Sequence, residues 1–314
     1  MQLVFDRVTK FYGPVIGVNE ITCRFEPGIT GLLGANGAGK STLMKLASGQ
    51  LRPSLGDVRL GEDRAWSTAA KRRLGYCPDA NTFYEEMTGR EFVTAMAGLY
   101  GYRHHEVRER TQRALEQVGM ADLSGRRLGG CSHGMRQRIK LAQALVNDPA
   151  ILLLDEPLSG IDPGGRRDIN ELLIELATDG KTIVVSSHIL EEIEQLADVI
   201  VMIARGRLIA SGTLAEIRNL LDDCPQIVAI GSRDARRLAT LLVKLPEVLS
   251  VSFEATDGNA VNGDAVLQVH THQPARFFMA VNELALAERI DIRSLETLDA
   301  GADAVFGYLE RGSS

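Results

Sequence analysis

Residues 34–42 read Gly-Ala-Asn-Gly-Ala-Gly-Lys-Ser-Thr, and this run restricts the possible folds more than any other in the chain. It fits Gly-x4-Gly-Lys-[Ser/Thr], follows a short apolar strand at residues 28–33, and opens a helical pattern expected to run from Lys40 to Leu51. Glycines at these positions let the backbone turn so that successive N–H groups point inward, and the helix N-terminus adds partial positive charge. Lys40 then reaches β- and γ-phosphates, and the Ser41 hydroxyl is suited to ligate Mg²⁺. A glycine-rich turn with a chance lysine is the plain alternative, and the strand-to-helix context weighs against it. The expectation is a nucleotide site built on Gly34, Asn36, Gly37, Ala38, Gly39, Lys40, Ser41 and Thr42.

A second strand pattern ends in acid. Residues 151–156 read Ile-Leu-Leu-Leu-Asp-Glu, a buried type of strand whose carboxyl end is where α/β sheets bind ligands. Asp155 can hold the Mg²⁺ hydration shell, and Glu156, pointing elsewhere, can orient or deprotonate an attacking water. Taken alone, the pair reads as a solvated Asp-Glu at a strand end.

Around these motifs the period of the apolar residues changes several times. Residues 2–12 and 20–25 alternate as strands, whereas residues 88–147 carry helical spacing, with Phe92, Ala95, Met96 and Leu99 on one stripe and Leu141 and Leu145 on another. This predicts an inserted helical subdomain. Strand patterns at 151–154, 182–186 and 199–203 then alternate with helical ones at 166–177 and 190–196, which is the signature of a largely parallel sheet. At 221–225 the pattern breaks, dividing a domain of residues 1–220 from one of residues 221–314. The second reads β-α-β-β-α-β, with a turn at 257–264 and a closing helix around Val305, Phe306 and Leu309, and matches a small α+β ferredoxin-like sheet with two helices on one face.

Composition narrows the class. The 314 residues are 45% apolar and 24% charged, ordinary for a packed protein, and a formal net charge of −6 supplies no general basic field for nucleic acid. The longest apolar runs fall far short of a membrane helix, and residues 1–7 lack the features of a secretory signal. Cys23, Cys77, Cys131 and Cys224 show no Cys-x-x-Cys spacing and read as reduced thiols in a cytoplasmic protein. His270 and His272 alternate with Thr271 beside Gln268, so a metal pair is conceivable, with a solvated sheet face the default. The charged run at residues 103–113 reads as an exposed helix face.

Residues 131–138, Cys-Ser-His-Gly-Met-Arg-Gln-Arg, complete a series that resembles the nucleotide-binding subunits of ATP-binding-cassette (ABC) transporters over about residues 1–220. They are similar to the family signature Leu-Ser-Gly-Gly-Gln, departing at three of five positions but keeping Ser132 and Gly134 at a helix start. A Ser N-cap followed by basic residues is the plain reading of the same segment. The resemblance implies a P-loop ABC cassette fold, MgATP as ligand, and a pair of cassettes in which this segment reaches across to a second copy. It also implies stacking of adenine on Tyr12, with core packing as the alternative, and a γ-phosphate contact from His188. Residues 159–162, Ser-Gly-Ile-Asp, are similar to the family turn that connects two such sites.

The family usually has Gln, sometimes Glu, where this chain has Asp79; the shorter side chain implies a metal contact through an additional water. Phe83, Tyr84 and Met87 read either as an apolar dock for a membrane subunit or as subdomain packing. The implied function is hydrolysis of ATP with Glu156 as general base, driving an integral membrane partner from the inner face of the membrane. The motif spellings and the ending at residues 295–309 are similar to exporter-type subunits for drugs, lipids or metal ions. A soluble cassette ATPase acting on a ribosome or DNA, and a nucleotide-gated binding module with little hydrolysis, are the alternatives.

Overall fold

The computed structural model describes residues 1–80, 83–213, 215–217, 226–253, 265–271 and 273–298. The chain divides into two compact units, Met1–Leu214 and Ala215–Ser314.

The first unit begins with two long strands, β1 (Leu3–Tyr12) and β2 (Val15–Phe25), paired antiparallel. Leu3 and Phe5 from β1 and Ile21 and Phe25 from β2 are buried at even spacing, and register shifts at Arg7 (φ 46°) and Glu20 (φ 51°) bring Val8 and Val18 to covered positions as well. With β4 (Leu55–Leu60) and the short β5 (Asp63–Arg64) they form an antiparallel sheet of order β2-β1-β4-β5. Against it lies a six-stranded sheet of order β10-β9-β3-β8-β7-β6. Its strands are β3 (Gly28–Leu33), β6 (Leu74–Cys77), β7 (Ile151–Asp155), β8 (Thr182–Ser187), β9 (Val199–Ala204) and β10 (Arg207–Thr213). All its pairings are parallel except that of β10 with β9, which closes one edge. Helix α1 (Lys40–Ala47) buries Leu43, Met44, Leu46 and Ala47 in a core that joins both sheets.

Helix α1 stops four residues before Leu51. Gly49, at φ 67°, is the left-handed residue that ends it, and its N–H bonds back to the Leu46 carbonyl. The β4 and β5 strands and helix α2 (Thr68–Arg72), which follow that stop, carry too few periodic residues to be read from sequence.

The helical subdomain consists of α3 (Gly89–Gly98), α4 (His104–Gln117) and α5 (His133–Leu145). Its α3 stripe differs from the expected one: Gly89, Phe92, Val93 and Ala97 are buried, whereas Ala95 and Leu99 face outward. Close approach selects the small residues at i and i+4, Gly89, Val93 and Ala97; a Cβ at Gly89 would lie 2.7 Å from Ile139 of α5. On α4, Val107, Thr111, Ala114 and Leu115 are covered and the charged residues lie outside. Helices α6 (Pro163–Thr178) and α7 (Leu190–Glu194) connect the later strands of the sheet.

Parallel register brings four strand ends to one level, with Leu33 opposite Ser187, Asp155 opposite Ser186 and Cys77 opposite Leu154. The glycine-rich loop, Pro78–Asp79, Glu156 and His188 therefore all leave the sheet at its carboxyl edge.

The second unit folds as β11 (Gln226–Ser232), α8 (Ala235–Leu242), β12 (Val248–Phe253), β13 (Ala265–Thr271), α9 (Pro274–Glu288) and β14 (Ile292–Thr297). Its fully antiparallel sheet has order β12-β13-β11-β14, the ferredoxin-like arrangement expected from the element order. Leu238, Leu242, Phe277 and Val281 from the helices meet Val228, Ile230, Leu267 and Val269 from the sheet in a separate core. His270 sits opposite Ser250 on β12. Among the described residues no group of three or more His, Cys, Asp or Glu side chains could hold a metal ion. The expected break at 221–225, the turn at 257–264, His272, Cys224 and the helix around Val305, Phe306 and Leu309 lie outside the described residues.

Candidate active site

The loop between β3 and α1 is shaped by close backbone contacts. Gly39 is the N-cap of α1 at φ 109°, and a Cβ there would lie 2.8 Å from the Gly17 carbonyl, so both conformation and space demand glycine. No side chain caps α1, which leaves the first-turn N–H groups of the helix to an external acceptor. Asn36 and Gly37 are exposed at the crest of the loop, Gly34 and Ala38 are buried beneath it, and Ser41 is exposed beside partly buried Thr42.

Lys40 is only 6% exposed. Its Nζ donates to the carbonyls of Gly34 at 2.6 Å and Ala35 at 3.2 Å, and lies 3.4 Å from Oε1 of Glu156. Glu156 has φ 50°, a left-handed conformation that costs a non-glycine residue free energy and is sustained by its surroundings. Those surroundings are hydrogen bonds: its N–H donates to Ser186 Oγ at 3.0 Å, and its carbonyl accepts from Gln137 Nε2 at 3.3 Å. The turn directs the carboxylate toward His188, whose Nδ1 is 3.1 Å from both oxygens. Asp155, one residue earlier, is buried, with Oδ1 accepting from Ser186 Oγ at 2.7 Å. A single serine thus separates the two carboxylates, bonding the side chain of one and the backbone of the other.

The donors available to a cation are oxygens: the Ser41 hydroxyl, the Asp155 carboxylate and, leaving the neighbouring strand end, the exposed Asp79 carboxylate. A hard, oxygen-preferring ion that retains several waters suits this set, which is the character of Mg²⁺.

Tyr12 is half-exposed rather than part of the core, and a Cβ on Gly17 would sit 2.7 Å from its ring and 3.3 Å from Thr42. The ring therefore flanks the start of α1, with Lys10 Nζ 5.7 Å from its centroid. Ser132 caps α5 by accepting from the Met135 N–H at 3.3 Å, and a Cβ on Gly134 would meet no atom within 4 Å, so that face of the helix start is open. His133, between them, brings Nε2 to 3.1 Å from the Ser159 carbonyl, and its ring covers the position a Gly160 Cβ would take. Phe83 packs edge-on to Phe92 at 5.1 Å within the subdomain, whereas Tyr84 is exposed and Met87 partly so.

The family model described as ABC transporter matches residues 18–159, which include the loop, the Ser132–Gly134 segment and the Asp155–Glu156 strand end. A Nod factor export ATP-binding protein of Rhizobium etli is 34% identical over 253 residues, covering 80% of each chain. This chain belongs to the ABC transporter ATP-binding family. An uncharacterized ABC transporter ATP-binding protein of Nostoc sp. is 43% identical over 189 residues, 60% of this chain and 56% of that one. The chain thus spans little more than half the length of that relative. The solved structure of an ATP-binding subunit of an ABC transporter superposes with a TM-score of 0.63 at 28% identity, covering 70% of this chain and 92% of that one.

Several residues that shape this ABC site escape motif reading. Ser186 is the penultimate residue of β8 and is legible only as the polar break in Thr-Ile-Val-Val-Ser-Ser. Gln137 looks like an ordinary helix surface residue, yet it is 2% exposed. Glu192 receives Ser187 Oγ at 2.9 Å and pairs with Arg166 at 2.7 Å, bracing the turn that carries His188. Burial pushes the Cys77 thiol at the end of β6 up to about 12.

Proposed function

We propose that this chain binds MgATP and hydrolyses it, and that the cycle drives substrate movement, in the outward direction, through a separate membrane subunit. The observation that carries the reading is the convergence of Lys40, Glu156 and His188 at the mouth of the glycine-rich loop. Lys40 and the N–H groups at the start of α1 hold β- and γ-phosphate oxygens. Tyr12 provides a face for adenine. Ser41 would hold Mg²⁺, with Asp155 and Asp79 contributing through water, and the ion would supply neutralisation of charge on the phosphate oxygens.

The Glu156 carboxylate takes a proton from the attacking water, a role its turn favours by placing it beyond the strand end, next to the γ-phosphate position. His188, bonded to that carboxylate, fixes its direction and offers its other ring nitrogen to phosphate. The open helix start at Ser132 and Gly134 is suited to the γ-phosphate of a second copy, so that two chains enclose nucleotide between them. No helix among the described residues is long and apolar enough to cross a membrane; the placement on the inner face rests on the proposed membrane partner. Export is favoured by the relative named for it, and the small second unit is assigned an accessory, regulatory role.

Glu156→Gln is expected to lower steady-state ATP turnover by roughly 10²–10⁴-fold while nucleotide still binds. Phosphate release and equilibrium binding of a fluorescent ATP analogue measure the two arms, and unreduced turnover would remove Glu156 from the chemistry.

A further inference from the structure

Lys140 lies at the centre of α5, seven residues beyond the helix start, and is 3% exposed. A buried ammonium is retained only where polar groups replace its water. Here its Nζ donates to the carbonyls of Pro78 and Asp79, each at 2.9 Å. These are the first two residues after β6, where the chain leaves the sheet one strand over from Asp155 and Glu156. The negative groups that face the ammonium are Asp79, Asp155 and the Cys77 thiol when ionised, while burial itself lowers its proton affinity. On the far side of residues 81–82 the same polypeptide is tied to the same part of the subdomain. Arg136 pairs with Glu85 at 3.5 Å, and the N–H of Leu128 donates to Met87 at 2.9 Å. The backbone around Asp79 is thus pinned from α5, while its carboxylate is exposed.

We propose that Lys140 is a positioning residue, whose hold on the Pro78 and Asp79 carbonyls fixes the turn that presents the Asp79 carboxylate to the divalent cation and attacking water. The inference rests on the ATPase reading. It explains how the short Asp side chain serves at a position where a longer Gln or Glu could search for its target: the backbone is held, so the side chain need not reach. It also gives α5 a second role. The helix that begins with Ser132 bonds the Glu156 carbonyl through Gln137 and the Asp79 carbonyl through Lys140, and so spans both strand ends of one site.

The test compares Lys140→Met, which keeps length and removes the donor, with Asp79→Asn and the double variant in the full chain. ATP turnover is titrated with Mg²⁺, and Mn²⁺ binding is followed by electron paramagnetic resonance with ATP in a Glu156→Gln background. Each single variant is expected to raise the half-saturating metal concentration about tenfold, the scale seen when the partner that orients a ligand is lost. The double variant is expected to equal Asp79→Asn. Unchanged metal dependence in Lys140→Met, or effects that multiply in the double variant, would overturn the assignment. Asp79 is exposed, so Asp79→Asn is expected to fold; if it leaves metal dependence unchanged the assignment also fails, even where Lys140→Met is unstable. Absence of MgATP turnover in the unaltered protein would instead count against the ATPase reading.

Discussion

Burial acts on single groups with opposite consequences at Cys77 and Glu156. Cys77 is fully buried at the end of β6, and desolvation raises its thiol to about 12. The thiolate is the nucleophile, so at pH 8 the buried thiol stays protonated and unreactive. Iodoacetamide at pH 8 is expected to leave Cys77 unmodified in the native protein and to modify it fully in urea, as read by peptide mass mapping. Glu156, only partly covered, instead spends its surroundings on a left-handed backbone and a bonded carboxylate. Its proposed role was legible only in company: alone the acidic pair reads as a solvated strand end, and the glycine-rich loop earlier in the chain is what gives it a partner. Lys140 was not: a lone lysine amid Ile139, Leu141 and Ala142 looks like a solvated helix face, and only the packed strand end beneath it shows why the charge is inside.

Among the elements, α3 shows how local sequence can set a boundary while long-range packing sets the buried face. Thr88 and Glu91 form a capping box: Thr88 Oγ1 accepts the Glu91 N–H at 3.2 Å, and Glu91 Oε2 accepts the Thr88 N–H at 2.8 Å. That spacing is visible in the sequence and places the helix start where the subdomain was expected to begin. The buried stripe was misjudged because Ala95 and Leu99 satisfy helical spacing as well as Val93 and Ala97 do; the approach of Ile139 to Gly89 decides between them. Thr88→Ala is expected to destabilise the first unit by about 1 kcal/mol in urea unfolding. Bonds from the Thr88 N–H and hydroxyl hold the Glu91 carboxyl below its usual range. A depressed folded pKa contributes stability that is present above the unfolded pKa and lost as pH falls through the folded one. The penalty of Thr88→Ala should therefore shrink toward acid, which urea titrations between neutral pH and pH 3 would reveal.

At the scale of the molecule, the order of elements in the second unit could be read because strands and helices alternate cleanly there, and a β-α-β-β-α-β order has one familiar antiparallel solution. The two-sheet arrangement of the first unit was less legible, since the β4 to α2 stretch offers short segments whose pairing depends on β1. Among the described residues, the core around Phe5, Phe25 and Met44 and the core around Phe277, Leu238 and Val269 share no residue. Phe277 is fully buried in the core of the second unit, and truncation to alanine removes its ring from that core. Phe277→Ala is expected to cost about 3–5 kcal/mol, a large share of the roughly 5–15 kcal/mol that holds a domain folded. Because the core around Met44 contains none of these atoms, the loss should remain local. Hydrogen exchange read by mass spectrometry should show protection falling across β11, β13, β14, α8 and α9 while β3, β7 and β8 retain theirs. An equal loss in both units would mean that the two cores fold as one cooperative structure despite their separate packing.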